Sequence, residues 1–121
     1  VLREIGRGGS AVVFLATDVK HDRSIALKVL HAQLDATVSH ERFLDEIRTT
    51  ARLNHPHICT LHDIGREADT DFLVMEYLEG ETLADRIARG PLPVRDALQI
   101  GGEIANALDK AHRQGVVHRD L

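Results

Sequence analysis

Three groups of residues in this chain could do chemistry. The first is Gly6-Arg7-Gly8-Gly9-Ser10-Ala11. Glycines let a backbone take open dihedrals and approach a ligand closely, and consecutive N–H groups in such a turn form a nest suited to phosphates. The same segment fits an ordinary hairpin turn, and Gly6-x-Gly8-x-x-Ala11 also matches a dinucleotide-binding fingerprint. That fingerprint requires a helix directly after the glycines, whereas Val12, Val13, Phe14 and Leu15 favour strand. The second group centres on Lys28, set inside Ile25-Ala26-Leu27-Lys28-Val29-Leu30. On a strand, Ala26 and Lys28 share a face opposite Ile25, Leu27 and Val29. A charge within an apolar strand is costly without a partner; Glu46 and a phosphate would supply two. The plain alternatives are a lysine snorkelling from an edge strand and a glutamate on a helix surface. The third group is Gly115-Val116-Val117-His118-Arg119-Asp120-Leu121. An aspartate in a loop behind a capped, buried helix can be held rigidly as a general base, or it can simply cap a turn.

These groups need elements to position them. β-branched and apolar runs bounded by turn residues predict strands at 1–5, 11–19, 25–30, 60–65 and 71–78. A helix is expected to start at Ser39 as N-cap with Glu41 in its first turn, and to end at Asn54-His55-Pro56. Phe43, Ile47, Thr50 and Ala51 would share its apolar face, with Glu46 on the edge of that face. A short helix is predicted at 82–88 and a long one at 94–114, with Pro93 suited to its first turn and Gly115 to its C-terminal cap. Ala97, Gly101, Ile104, Leu108 and Ala111 repeat at helical spacing, and Leu98, Ile100 and Ala105 widen the stripe, so burial from several sides is expected. Gly101-Gly102 costs about 1 kcal/mol per residue relative to alanine, which suggests close packing against a neighbour.

Composition narrows the classes. The 121 residues suffice for one modest domain, and a net charge of −4 does not suggest a nucleic-acid partner. No apolar run approaches the roughly 20 residues that span a bilayer, and no signal-peptide pattern opens the chain. Cys59 is the single cysteine, so no internal disulfide forms, which fits a reducing, cytoplasmic setting. The 8 histidines show no zinc-type spacing: His55 and His57 flank Pro56, while His62, His112 and His118 lie far along the chain. No metal site is expected within these residues. The start at Val1 and the stop at Leu121 both look like cut edges.

Taken together, these residues resemble the eukaryotic-type protein kinase family, above all its bacterial serine/threonine branch, over the whole chain. Ile5 to Val13 looks like the Gly-rich loop and Ile25-Ala26-Leu27-Lys28 like the third-strand lysine motif. Phe43-Leu44-Asp45-Glu46 looks like the helix glutamate, and His55-Pro56-His57-Ile58 like the turn after that helix. Val74-Met75-Glu76-Tyr77-Leu78 looks like the hinge, and His118-Arg119-Asp120-Leu121 like the start of the catalytic loop. Each motif is unremarkable alone; six in the right order make a specific signal.

The resemblance implies an α+β fold. A kinase N-lobe and hinge, with a five-stranded antiparallel sheet and one helix, would occupy 1–78. The first helices of a helical C-lobe, incomplete, would occupy 79–121. It implies that Gly6, Arg7, Gly8, Gly9, Ser10 and Ala11 cover the phosphates of ATP and that Lys28, held by Glu46, binds them. Ile5, Val13 and Ala26 would pack on the adenine. Backbone groups of Glu76 and Leu78 would bond its edge, beside Met75 as gatekeeper. Asp120 would accept the proton of a Ser or Thr hydroxyl on a protein substrate, and Arg119 would pair with an activation-loop phosphate. Mg2+ would be required, with its ligands expected after Leu121, so this stretch alone is expected to be inactive, to expose the apolar stripe of its last helix and to aggregate. Ala11 in place of the third glycine, Ser10 at the loop tip and Thr50 at an apolar spine position depart from the pattern. A non-catalytic pseudokinase of the same fold is the alternative; a dinucleotide-dependent oxidoreductase would leave Lys28 and Asp120 unused.

Overall fold

A computed structural model describes residues 1–9, 11–31, 44–45 and 47–118. Its strands are β1 (Arg3–Arg7), β2 (Ala11–Asp18), β3 (Arg23–Leu30), β4 (Leu61–Glu67) and β5 (Thr70–Glu76). They form one antiparallel sheet in the order β1-β2-β3-β5-β4. The five predicted strands are present, each displaced by only a few residues. Because β3 is the central strand, the segment around Lys28 gains ladder partners on both sides, and the edge-strand reading of that lysine is excluded.

Local chemistry explains the connections. β4 and β5 are joined by Ala68 and Asp69, both at positive φ (48° and 65°) between the paired Glu67 and Thr70. Two positive-φ residues are what a right-twisted hairpin with a two-residue loop demands. Gly65 faces Phe72 across this ladder, and a Cβ at Gly65 would fall 2.1 Å from the ring. The glycine is therefore what seats the ring on the sheet.

Helix α1 is described at 44–45 and 47–51. Its predicted cap Ser39, together with Glu41, Phe43 and Glu46, lies outside the described residues. Ile47 and Ala51 are half-buried as expected, but Thr50 is exposed. Helix α2 (Leu83–Ala88) begins at Thr82, whose hydroxyl accepts from the Asp85 N–H at 3.0 Å. Helix α3 (Val94–Arg113) has Pro93 at its N-cap, one position earlier than expected. It ends in a Schellman motif: Gly115, at φ 81°, donates to His112 O and Val116 donates to Ala111 O. An Arg86–Asp96 ion pair of 2.7 Å ties α2 to α3.

Within this stretch the apolar stripe of α3 is exposed, as expected for these residues alone. Among its residues only Ala111 is buried, while Val94 and Leu98 are 75% and 72% exposed. A Cβ at Gly101 or Gly102 would meet nothing within 4 Å. The amphipathic stripe is present, but among the described residues the extensive contacts between elements run only between neighbouring strands. Periodicity shows which face a helix can bury, not that something covers it.

Candidate nucleotide site

The register of the sheet decides which side chains share a face. Directly opposed residues of an antiparallel pair lie on the same side. One cross-strand row runs Gly6, Val13, Lys28, Leu73, Ile64, and the next runs Arg3, Leu15, Ala26, Met75, Leu61. Val13, Ala26, Lys28 and Met75, drawn from three strands, therefore line one face. Ala26 and Leu73 are buried there, whereas Val13, Lys28 and Met75 are half-buried. Among the described residues no carboxylate pairs with Lys28; Glu46 lies outside them, as do Ser10, Arg119, Asp120 and Leu121.

The glycine-rich turn sits at the end of this face. Gly8 N–H donates to Ala11 O at 2.9 Å and closes the turn. The element directly after the glycines is β2, not a helix, so the dinucleotide fingerprint lacks the element it requires. Gly6, Gly8 and Gly9 are not at positive φ, in contrast to the expected open dihedrals. Their role is different: a Cβ at Gly8 or Gly9 would meet nothing within 4 Å. The turn therefore presents bare backbone to whatever lies beneath it.

Arg7 is not aimed at that face. A bulge between Glu4 and Gly6 leaves Ile5 without a partner and changes the side-chain parity of β1. Glu4 and Arg7, three apart, then come to the same side and pair through two bonds of 2.8 and 3.2 Å. The hydrogen bond from Arg7 is the main cause that lowers the Glu4 carboxyl, and the same bond raises the Arg7 guanidinium. Ile5, at the bulge, is 37% exposed.

At the far end, Glu76 closes β5 and is tied to the start of β4 three times. Its N–H donates to Thr60 O at 2.8 Å, its carboxylate accepts from Thr60 N–H at 3.1 Å, and its carbonyl accepts from the Cys59 thiol at 3.6 Å. Burial, and then the neighbouring Glu76 charge, push the Cys59 thiol above its ordinary range, so it stays protonated and able to donate. Leu78, two residues on, is 61% exposed, and among the described residues its backbone groups take no backbone partner. Sequence reasoning used Cys59 only to exclude a disulfide. Its contact with Glu76 spans 17 residues, and nothing local in the sequence announces it.

The arrangement offers an apolar sheet face bordered by a strand lysine, a glycine turn without side chains and a strand end with backbone donors and acceptors. Those are the requirements for a flat heteroaromatic base carrying an anionic tail. A separate cavity of about 370 Å³ opens between α1 and β4–β5, lined in part by Leu44, Arg48, Ala51, Ile64 and Asp71. Ile64, Arg66 and Asp71 in its lining stand on the same side of the sheet as Lys28, farther along β4 and β5. Among the described residues no group of three or more His, Cys, Asp or Glu could hold a metal ion, and no helix is long and apolar enough to cross a membrane.

Comparison with known proteins places this geometry in context. The family model described as "Protein kinase domain" matches residues 1–121. The chain is 42% identical to the serine/threonine-protein kinase PrkC of Bacillus subtilis, over 100% of its own length and 19% of that protein. It is 34% identical to the crystal structure of the Mycobacterium tuberculosis PknI kinase domain, with a TM-score of 0.85, covering 98% of this chain and 50% of that one. A crystal structure of Rad53 1–466 in complex with AMP-PNP matches with a TM-score of 0.86 at 25% identity, covering 100% of this chain and 32% of that one. The chain thus spans about a fifth of the curated relative's length and about half of the PknI chain.

Proposed function

The chain belongs to the protein kinase domain family, and from that premise we propose that it forms the ATP-binding part of an enzyme that phosphorylates serine or threonine hydroxyls of proteins. Residues 1–78 serve as the nucleotide-binding lobe and hinge, and 79–121 begin the helical lobe. The observation that carries this reading is the central-strand lysine on the same face as Val13, Ala26 and Met75. A buried apolar slot favours a purine ring, and an ammonium beside it favours the phosphates.

Each residue then has a task. Ile5, Val13 and Ala26 pack on the base. Met75 limits the depth of the slot, while Glu76 and Leu78 offer backbone groups to the base edge. Gly6, Gly8, Gly9, Ser10 and Ala11 cover the phosphates with backbone rather than long side chains. In Arg7 only the backbone takes part, since its side chain is engaged by Glu4. Lys28, oriented by Glu46, holds the phosphates in line for transfer. Asp120 accepts the hydroxyl proton, and Arg119 beside it answers to a phosphate on an activating segment. Phosphoryl transfer in this family relies on positioned charge rather than covalent chemistry. Mg2+ would neutralise charge on the phosphates when bound, but the described residues form no site that fits it.

The test uses the whole protein that carries this chain. The wild type should bind an ATP analogue and phosphorylate a generic basic protein on Ser or Thr. Lys28→Met and Asp120→Asn should each lower the rate by roughly 100-fold or more, and Asp120→Asn should keep nucleotide affinity. Wild-type protein that binds no adenine nucleotide, or full activity in Lys28→Met, would sink the reading.

A further inference from the structure

We propose that the Glu4–Arg7 ion pair is a positioning device that holds the bulge at Ile5 and thereby sets where the glycine turn begins. This rests on the nucleotide site assigned above and concerns how the turn at its edge is kept in one register.

The pair and the bulge require each other. On a regular strand, residues three apart point to opposite faces, which would keep Glu4 and Arg7 apart. Here Glu4 stands opposite Phe14 and Arg7 opposite Val12, so β1 takes three steps where β2 takes two. The extra residue is Ile5, and its insertion brings Glu4 and Arg7 to one side. The guanidinium then meets both carboxylate oxygens, through Nε at 2.8 Å and Nη2 at 3.2 Å. Two such bonds fix direction as well as distance.

A second register is open to the same strand. If Arg3 and Glu4 kept their partners and the bulge were lost, Ile5 would stand opposite Val13, Gly6 opposite Val12 and Arg7 opposite Ala11. A slip of one residue exchanges the faces of everything beyond it. Gly6 would leave the Lys28 side of the sheet. The long Arg7 side chain would take a place there, because Ala11 and Val13 share a side and Val13 is paired with Lys28. Arg7 opposite Ala11 would also displace Gly8, whose N–H donates to Ala11 O at 2.9 Å. The regular register offers Ile5 a ladder partner, so something must oppose it. The ion pair forms only in the bulged register and biases the strand toward it. Both side chains are exposed, 62% for Arg7 and 42% for Glu4, so the bias is modest and is screened by salt. It matters because apparent affinity falls in proportion to the fraction of molecules in the competent register.

The experiment uses the whole protein that carries this chain and reads KM for ATP, kcat and amide exchange at Gly8. The variants are Glu4→Gln, Glu4→Arg and the reversed pair Glu4→Arg with Arg7→Glu. Thermal unfolding of each variant confirms that it folds. At low salt Glu4→Gln should raise KM for ATP by roughly two- to threefold, the scale of an exposed ion pair. Its kcat should stay within about twofold, and exchange at Gly8 should quicken by a factor similar to the change in KM. Glu4→Arg sets like charges across the bulge and should raise KM further, by about fivefold. The reversed pair should bring both readouts back toward the wild type. In about 1 M salt the gap between Glu4→Gln and wild type should close, since screening removes the pair. A KM unchanged in both single variants overturns the positioning role alone. So does a reversed pair as impaired as Glu4→Arg, or a KM shift with no change at Gly8. A wild type that binds no ATP overturns the nucleotide site as well.

Discussion

The sheet and the helices after it are held together by different means. Ala11, Val12, Ala16, Ile25, Ala26 and Leu73 are all buried and all lie on strands. After Leu78, Ala111 alone is buried among the described residues. The sheet builds its core from neighbours that the hairpins bring side by side, so each strand is both partner and cover. Helices α2 and α3 are instead defined by their ends: a Thr82 cap, a Schellman turn at Gly115 and the Arg86–Asp96 tie. The difference teaches that the shared face of Val13, Ala26, Lys28 and Met75 is set by strand register, while the apolar stripe of α3 stays exposed within this stretch of chain.

The largest test of that contrast sets a buried strand residue against a helix residue of the same type. Leu73→Ala should cost about 2–5 kcal/mol, the usual effect of a cavity, since Leu73 is 9% exposed beside Lys28. Leu98→Ala, at 72% exposure, should stay within about 0.5 kcal/mol. Denaturant midpoints of the 121-residue chain would read both. A loss at Leu98 as large as that at Leu73 would mean that the α3 face is covered after all.

Next comes the β4–β5 ladder. Gly65→Ala drives a methyl into the Phe72 ring and should destabilise by about 1–3 kcal/mol as overpacking. The double change Gly65→Ala with Phe72→Leu should return part of it; no recovery would point away from the ring as the cause. On the helical side, Thr82→Ala removes the acceptor for Asp85 N–H and should cost about 1 kcal/mol. That loss should be confined to α2, seen as faster amide exchange at its first turn while β5 is unchanged. Smaller still is a gain: Ala68→Gly relieves an alanine at φ 48° and should stabilise by about 0.4–1 kcal/mol.

The legibility of the sequence divides along the same line. Strands and hairpins were legible because β-branched runs and turn residues act over a few positions, and Pro93 and Gly115 marked the ends of α3 for the same reason. The shared face of Ala26 and Lys28 came from strand parity, whereas Val13 joined it only through the family resemblance. Two features escaped. The bulge at Ile5 shifts parity in β1 and sends Arg7 to Glu4, and nothing in Arg-Glu-Ile-Gly-Arg announces it. The Cys59–Glu76 contact joins segments whose adjacency depends on β4 folding back on β5, a fact of topology rather than of local composition.

The smallest effect concerns pH and probes the sheet at the β2–β3 turn. Asp18 accepts the His21 N–H at 3.2 Å, faces His21 Nδ1 at 2.8 Å and lies 3.4 Å from Arg23 Nε. Partial burial acts to raise its carboxyl, but the His21 hydrogen bonds and then the charges of His21 and Arg23 outweigh it, leaving the group below its ordinary value. A carboxyl lowered by folding contributes stability above its unfolded value, about 3.9, and loses that contribution as the pH falls through the folded value. Wild type and Asp18→Asn should therefore differ while the carboxyl is ionised, from neutral pH down to about pH 5. The difference should close as the pH falls below the ordinary carboxylate range. The readout is the denaturant midpoint together with the chemical shift of the His21 amide, which marks the turn itself. Convergence already well above pH 5 would break the assignment to the Asp18 carboxyl. A helix signal that moved with the same titration would break the contrast, since it would couple α3 to a turn at the opposite end of the chain.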